Sequence, residues 1–318
     1  MFFDMHADIW TNTLWEYEKG HKDIIKRKFR DKFSKGNMMG GIFVIWLDDY
    51  EKPEPRFAKA LRIMTEELYY TRNFIHVIKN KEDFNIAKKN NKIGVVLGIE
   101  GLAGIGKKLD YLYLLEKLGI RHIGLTWNEE NAIATGQNGD KNRGLTQLGI
   151  DALKIMEDLG ILIDLSHAND KTFYDVAKYA KKPFFASHSN SRTLCPSMRN
   201  LTDDQLLCIK ERNGMVGVNS YHNFVSLNDK EKTLDMLIRH LEYIAEKIGL
   251  DKVGFGFDFA DYYARETETV KDLKDLTDAS DLNNVSVLLK KYGYSQHEID
   301  MVTYKNFISF FERARNKK

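Results

Sequence analysis

The chain has 318 residues, 43% of them hydrophobic, enough to bury a full core, and its 48 Lys and Arg against 46 Asp and Glu leave a formal charge of only +2. That balance argues against nucleic-acid binding, and the short basic stretch at 313–318 reads as a solvated helix end. Cys195 and Cys208 are too few for a disulfide framework or a thiolate zinc site, the first residues lack the features of a secretory signal, and no apolar run approaches the ~20 residues a membrane helix needs, so the expectation is a soluble, cytoplasmic protein with no membrane partner.

Eight short runs rich in β-branched and aromatic residues recur at 2–6, 41–47, 93–99, 122–126, 161–164, 184–187, 215–219 and 253–257. Most are apolar on both faces, as strands of a buried parallel sheet are. Helical periodicity fills 56–79, 109–118, 146–159, 171–179, 203–212 and 233–248. Thr202 and Asp203 offer an N-terminal cap, while Gly119, Gly160 and Gly249 sit just past a helix, where a left-handed residue ends it. In the last of these helices Leu234, Leu237, Leu241, Ile244 and Ile248 share the face that should pack on the sheet. A polar segment at 261–281 follows, then helices at 282–290, 296–301 and 306–314. Alternating strands and helices predict parallel strands with right-handed crossovers. Eight such units favour closure into an α/β, (β/α)8 TIM-type barrel with additional C-terminal helices over an open doubly wound sheet. With neither linker nor internal repeat, residues 1–318 read as a single domain.

The chemistry gathers at strand ends. His6 and Asp8 are two apart on an extended segment and would share one face. Glu100 closes the third run, His167 the fifth, His188 the sixth and Asp258 the eighth. Each placement alone suits a hydrogen-bonded rim residue. In a barrel, however, the carboxyl ends converge on one mouth, and charged or imidazole groups there are costly to bury unless paired or bound to metal. Three imidazoles and two carboxylates suit Zn²⁺, with Mn²⁺ or Fe²⁺ ranked below it, and one carboxylate bridging two ions would leave each with three protein ligands and a shared water.

Four stretches are more specific: 144–149 (GLTQLG), 159–167 (LGILIDLSH), Ser187-His188-Ser189 followed by Arg199-Asn200, and 254–259 (GFGFDF). Over nearly its whole length the chain resembles the renal (membrane) dipeptidase family of zinc peptidases, within the amidohydrolase superfamily. The resemblance implies that His6 and Asp8 bind one zinc, that His167 and His188 bind the other, and that Glu100 bridges them. It further implies that Asp258 handles the proton of the bridging water and that Arg199 holds the substrate's terminal carboxylate. A dipeptide substrate, tolerance of a D-residue at its carboxyl side and often a homodimer are likewise implied. Two departures stand out: Trp127 takes the place of a family His after the fourth strand, and Ala260-Asp261 replace the usual acidic residue and glycine. An indole offers an N–H but cannot be protonated.

Gly101 to Gly106 has the wrong glycine spacing for a dinucleotide loop, His222 near the seventh strand's end could touch substrate but reads rather as an exposed loop residue, and His21, His76, His122, His240 and His297 fall in loops or helices away from the mouth, with no assigned role. The leading expectation is therefore a metal-dependent dipeptidase. Hydrolysis of another amide, such as an N-acyl amino acid or a lactam, and a metal-binding barrel without turnover are the alternatives.

Overall fold

The computed structural model describes residues 1–47, 52–261 and 273–315; most of the polar segment expected at 261–281 and the end of the basic tail lie outside the described residues. The strands are β1 (Phe2–Ala7), β2 (Met38–Trp46), β3 (Ile75–Val77), β4 (Ile93–Glu100), β5 (Ile120–Gly124), β6 (Leu162–Asp164), β7 (Phe185–Ala186), β8 (Met215–Val218) and β9 (Val253–Phe255). All pair in parallel in the order β1-β2-β4-β5-β6-β7-β8-β9. The seam between β9 and β1 is drawn together by the Asp258 N–H donating to the His6 carbonyl (3.3 Å) and the Phe257 N–H donating to Asp4 Oδ1 (2.9 Å). The result is the expected (β/α)8 barrel.

One segment differs. Helix was expected through residue 79, but it ends at Tyr70 (Pro53–Tyr70), and β3 follows after a turn. Ile75 and Val77 are β-branched, and the edge of β4 is long enough to take two partners: Ile75 pairs with Ile93 low on β4, whereas β5 joins only from Leu97 upward. Helices Ile9–Glu18, Arg30–Lys35 and Glu82–Lys89 were also not foreseen; none carries a side-chain N-cap. The foreseen ends behave as their chemistry demands. Thr202 and Gln205 form a reciprocal capping box, and Gly119 and Gly160 take left-handed conformations at helix ends.

Two apolar layers result. Phe3, Met5, Ile42, Val44, Val96, Leu162, Phe185 and Met215 fill the barrel interior, together with Phe307, Phe310 and Phe311 from the last helix, Asn306–Arg315. Phe307 stacks on Phe3 with ring centroids 4.5 Å apart and Phe310 packs on Phe185 at 4.9 Å, so the C-terminal helix plugs the end of the barrel opposite the carboxyl termini of the strands. The alternate strand residues, among them Phe43, Ile45, Val95, Leu97 and Ile99, pack outward on the surrounding helices. No helix among the described residues is long and apolar enough to cross a membrane.

Candidate metal centre

The carboxyl ends of the strands bring all five expected metal-ligand candidates together. Glu100, the last residue of β4, sits at the centre: its Oε1 lies 3.5 Å from His6 Nε2, 2.8 Å from His167 Nε2 and 3.5 Å from His188 Nε2. Asp8 Oδ1 is 3.9 Å from His6 Nε2. Two overlapping triads, His6–Asp8–Glu100 and Glu100–His167–His188, each have ligand atoms within 4.8 Å of one another, and all five residues are buried.

His6 does not reach this point by simple alternation. Phe3 and Met5 face the interior, which would send His6 outward with Phe2. Between Asp4 and Ala7, however, the pairing with β2 slips: Asp4 lies opposite Gly41 and Ala7 opposite Phe43, one extra residue on β1. The bulge turns His6 into the mouth, and Asp4 Oδ1 accepts its N–H (3.1 Å). Asp8 is not extended, contrary to expectation; its φ of −76° and ψ of 35° open helix Ile9–Glu18. It is this turn, rather than a shared strand face, that brings its carboxylate back toward His6.

The imidazoles are held from behind. Asn128 Oδ1 is 2.9 Å from His167 Nδ1, and Ser187 Oγ is 2.7 Å from His188 Nδ1. With each Nδ1–H donating, both Nε2 atoms present lone pairs to the same space, where they face each other across 2.9 Å. Two lone pairs so close repel unless a cation or a proton lies between them. His6 Nε2, fully buried, has no hydrogen-bond partner among the described residues. A nitrogen and oxygen donor set with no thiolate, converging on one buried space, fits a borderline divalent ion.

The charges of the centre act on one another. Burial alone would raise the Glu100 carboxyl, yet the His6 and His167 rings hold it well below its usual range. Burial works against a charged His6, but Glu100, Asp8 and Asp258 push its pKa up to about 10. His167 is lowered to about 4 by burial and by Arg199, and His188 falls well below its ordinary value through burial and the His6 charge. The cluster is thus short of positive charge, which a bound cation would supply.

Asp258 stands just past β9 with a left-handed backbone, φ 57°, a conformation that costs a non-glycine residue energy and recurs at functional positions. Asn219 Nδ2 donates to its Oδ2 (3.0 Å), while Oδ1 points toward His6 Nε2 at 4.0 Å and 21% of the side chain remains exposed. Burial raises its pKa. Arg199, in the loop after β7, is buried against the centre: it donates to the Ser166 carbonyl, its second terminal nitrogen lies 3.4 Å from the His188 carbonyl and 3.3 Å from His167 Nε2, and its Nε–H is unpartnered among the described residues. Burial lowers its pKa to about 10. Trp127 stands beside His167, ring centroids 6.0 Å apart, and packs on Trp46 at 4.9 Å, so an aromatic wall occupies this side of the mouth.

Sequence reasoning missed several residues. His122 was placed away from the site, but it lies on β5 inside the barrel, fully buried, with Nε2 2.9 Å from Asp164 Oδ2. Asp4, Asn128, Asp164, Ser187 and Asn219 also went unassigned. Polar residues at interior positions of otherwise apolar strands, Asp164 above all, were the available signal. His21, His76 and His297 make no contact with the centre, and His240 is buried beneath the loop after β7.

A (β/α)8 barrel with histidines and carboxylates converging at its carboxyl-end mouth has the architecture of a metal-dependent hydrolase. The comparisons make this specific: residues 3–318 match the model of the membrane dipeptidase family, peptidase family M19. The chain belongs to that family and is a metallopeptidase. It is 25% identical to a metallo peptidase from Rhodobacter sphaeroides crystallised with a phosphinate mimic of the dipeptide L-Ala-D-Ala, over 98% of this chain and 99% of that one, with a TM-score of 0.86. A second solved structure, the M19 metallo peptidase named dipeptidase AC, is 26% identical over 99% of both chains, again with a TM-score of 0.86. Among curated proteins, an uncharacterized protein in the pqqA 5′ region of Klebsiella pneumoniae is 32% identical over 79% of this chain and 93% of its own length. An uncharacterized dipeptidase of Schizosaccharomyces pombe is 36% identical over 54% of this chain and 42% of its own.

Proposed function

We propose that this metallo-dipeptidase, a single hydrolase domain, cuts the peptide bond of free dipeptides with two zinc ions. His6, Asp8 and Glu100 would hold one ion, and Glu100, His167 and His188 the other. The observation that carries the reading is Glu100 Oε1, within 3.5 Å of three imidazole nitrogens. Bound divalent ions supply Lewis-acid polarisation of the carbonyl and a water acidic enough to ionise near neutral pH.

The chain's own residues do the rest. Asp258, with Oδ2 tied to Asn219, keeps Oδ1 available to take a proton from the attacking water and return it to the leaving amine. Arg199 would pair with the substrate's free carboxylate and so restrict length to two residues; its Nε–H, unpartnered among the described residues, supports this role. Burial of the centre excludes bulk water from these charges. A substrate with a D-residue at its carboxyl end is supported by the ligand bound to the Rhodobacter relative. The aromatic wall of Trp46 and Trp127 favours a second reading, an N-acyl amino acid whose acyl group packs on those rings.

The test is turnover of a dipeptide panel and an N-acyl amino acid panel by zinc-reconstituted protein, beside Asp258→Asn. Dipeptides should be cut, and the variant should lose about 10²–10⁴ in kcat. Equal rates for both proteins, or no dipeptide cleavage, would defeat the assignment.

A further inference from the structure

Behind the metal centre lies a hydrogen-bonded cluster that the hydrolytic roles leave unused. We infer that Asp164, acting through Ser187 and braced by His122, is a positioning residue that fixes which nitrogen of His188 carries the proton. The inference deepens the two-ion reading and rests on it.

The direction of each bond follows from donor counting. Asp164 Oδ1 accepts from the Ser166 N–H (3.1 Å), the Ser166 hydroxyl (2.7 Å) and the Ser187 N–H (2.9 Å). Its Oδ2 accepts from the Ser187 hydroxyl (2.5 Å) and from His122 Nε2 (2.9 Å). An ionised carboxylate has acceptors only, so five donors satisfy it fully. The Ser187 hydrogen is thereby committed to Asp164, and Ser187 Oγ meets His188 Nδ1, 2.7 Å away, with a lone pair. His188 must then carry its proton on Nδ1 and direct the Nε2 lone pair at Glu100. The His6 ring packs at a tilt of 32° against His188 with centroids 3.7 Å apart, and its Nδ1 lies 3.5 Å from the same Ser187 oxygen, so one hydroxyl steadies both rings.

His6, Asp164 and His188 also have atoms within 4.8 Å of one another, the spacing of a third ion site. The Ser187 hydroxyl lies within hydrogen-bond reach of all three, so that space is taken and the cluster works as a hydrogen-bond hub. Room for the His122 brace is made at Gly98: a Cβ there would lie 2.6 Å from His122 Nδ1.

Asp164→Asn gives a sharp test because it reverses the chain of bonds. With Oδ1 still accepting its three donors, the new amide nitrogen faces Ser187 Oγ, and the Ser187 hydrogen must turn to His188 Nδ1. Nitrogen-15 NMR of the metal-free full chain should then find the His188 proton on Nδ1 in the unaltered protein and on Nε2 in Asp164→Asn. Co²⁺ titration followed by visible absorption should show about 10–100-fold weaker binding in both Asp164→Asn and Ser187→Ala. A His188 proton on Nε2 from the start, an unchanged tautomer in Asp164→Asn, or unaltered Co²⁺ affinity in Ser187→Ala would overturn the inference. Should Asp164→Asn not fold, Ser187→Ala decides it. Failure of the unaltered protein to take up Co²⁺ would instead overturn the two-ion reading, and the His188 tautomer would still decide the role of Asp164.

Discussion

Replacing Gly98 with alanine should destabilise the metal-free protein by several kcal/mol and disturb a centre that the residue never touches. The added Cβ would lie 2.6 Å from His122 Nδ1 and 2.8 Å from Val44 Cγ1, closer than real Cβ contacts come, and 3.0 Å from Ile42 Cγ2, which is also tight. Val44 and Ile42 are fully buried on β2, so neither can swing aside. Overpacking of this kind costs about 1–3 kcal/mol. If the His122 ring is also displaced, its charge-assisted bond to Asp164 is lost, for about 1.5–3 kcal/mol more. Urea unfolding in the presence of a chelator should therefore show a loss of about 2.5–6 kcal/mol. The cause is separable by a double-mutant cycle with His122→Ala, which removes the obstructing ring. The pair should be less destabilised than the sum of the singles by at least about 1 kcal/mol, well outside the ~0.5 kcal/mol scatter of independent sites. Additivity, or a loss below about 1 kcal/mol for Gly98→Ala, would refute the reasoning.

Three further perturbations probe other levels. Phe310→Ala should cost about 3–5 kcal/mol in urea unfolding, since its fully buried ring fills the barrel end against Phe185, while Co²⁺ affinity of the folded fraction stays unchanged; a changed affinity would contradict the separation of plug and site. His240 is fully buried between the Ser191 N–H and the Val225 carbonyl, and burial lowers its pKa to about 4. A folded pKa below the unfolded ~6.5 means that the unfolded chain binds the proton first, so stability falls as pH drops from about 6.5 toward about 4. Between about pH 7 and about pH 5 the protein should lose about 2 kcal/mol relative to His240→Gln, and parallel pH profiles would exclude the assignment. Arg199→Lys should raise the dipeptide KM at least tenfold with a smaller change in kcat, because an ammonium cannot reproduce the fork; an unchanged KM would place the carboxylate elsewhere.

Much of the barrel was readable because its strands are apolar on both faces and its helices carry strong end signals, as at Thr202 and Gly160. The split of residues 56–79 was not, since Phe74, Ile75 and Ile78 continue an apolar pattern that helix and strand share; only the free lower edge of β4 decides for β3. At the centre, residues ending strands declared themselves because a charge there needs a partner. The route of His6 into the mouth was hidden, because a bulge is set by tertiary pairing and reverses the side that simple alternation gives. The layer behind the ligands was also hidden. Asp164 looks like one polar residue in an apolar run, and nothing local tells that residues 122, 164 and 187 meet inside one barrel.

The central claim is that Glu100 is shared by two ions. Diffraction from crystals grown with zinc, recorded on both sides of the zinc absorption edge, tests it directly. Two anomalous peaks should flank Glu100, one against His6 and Asp8 and the other against His167 and His188; peaks that avoid Glu100, or none at all at the barrel mouth, would contradict it.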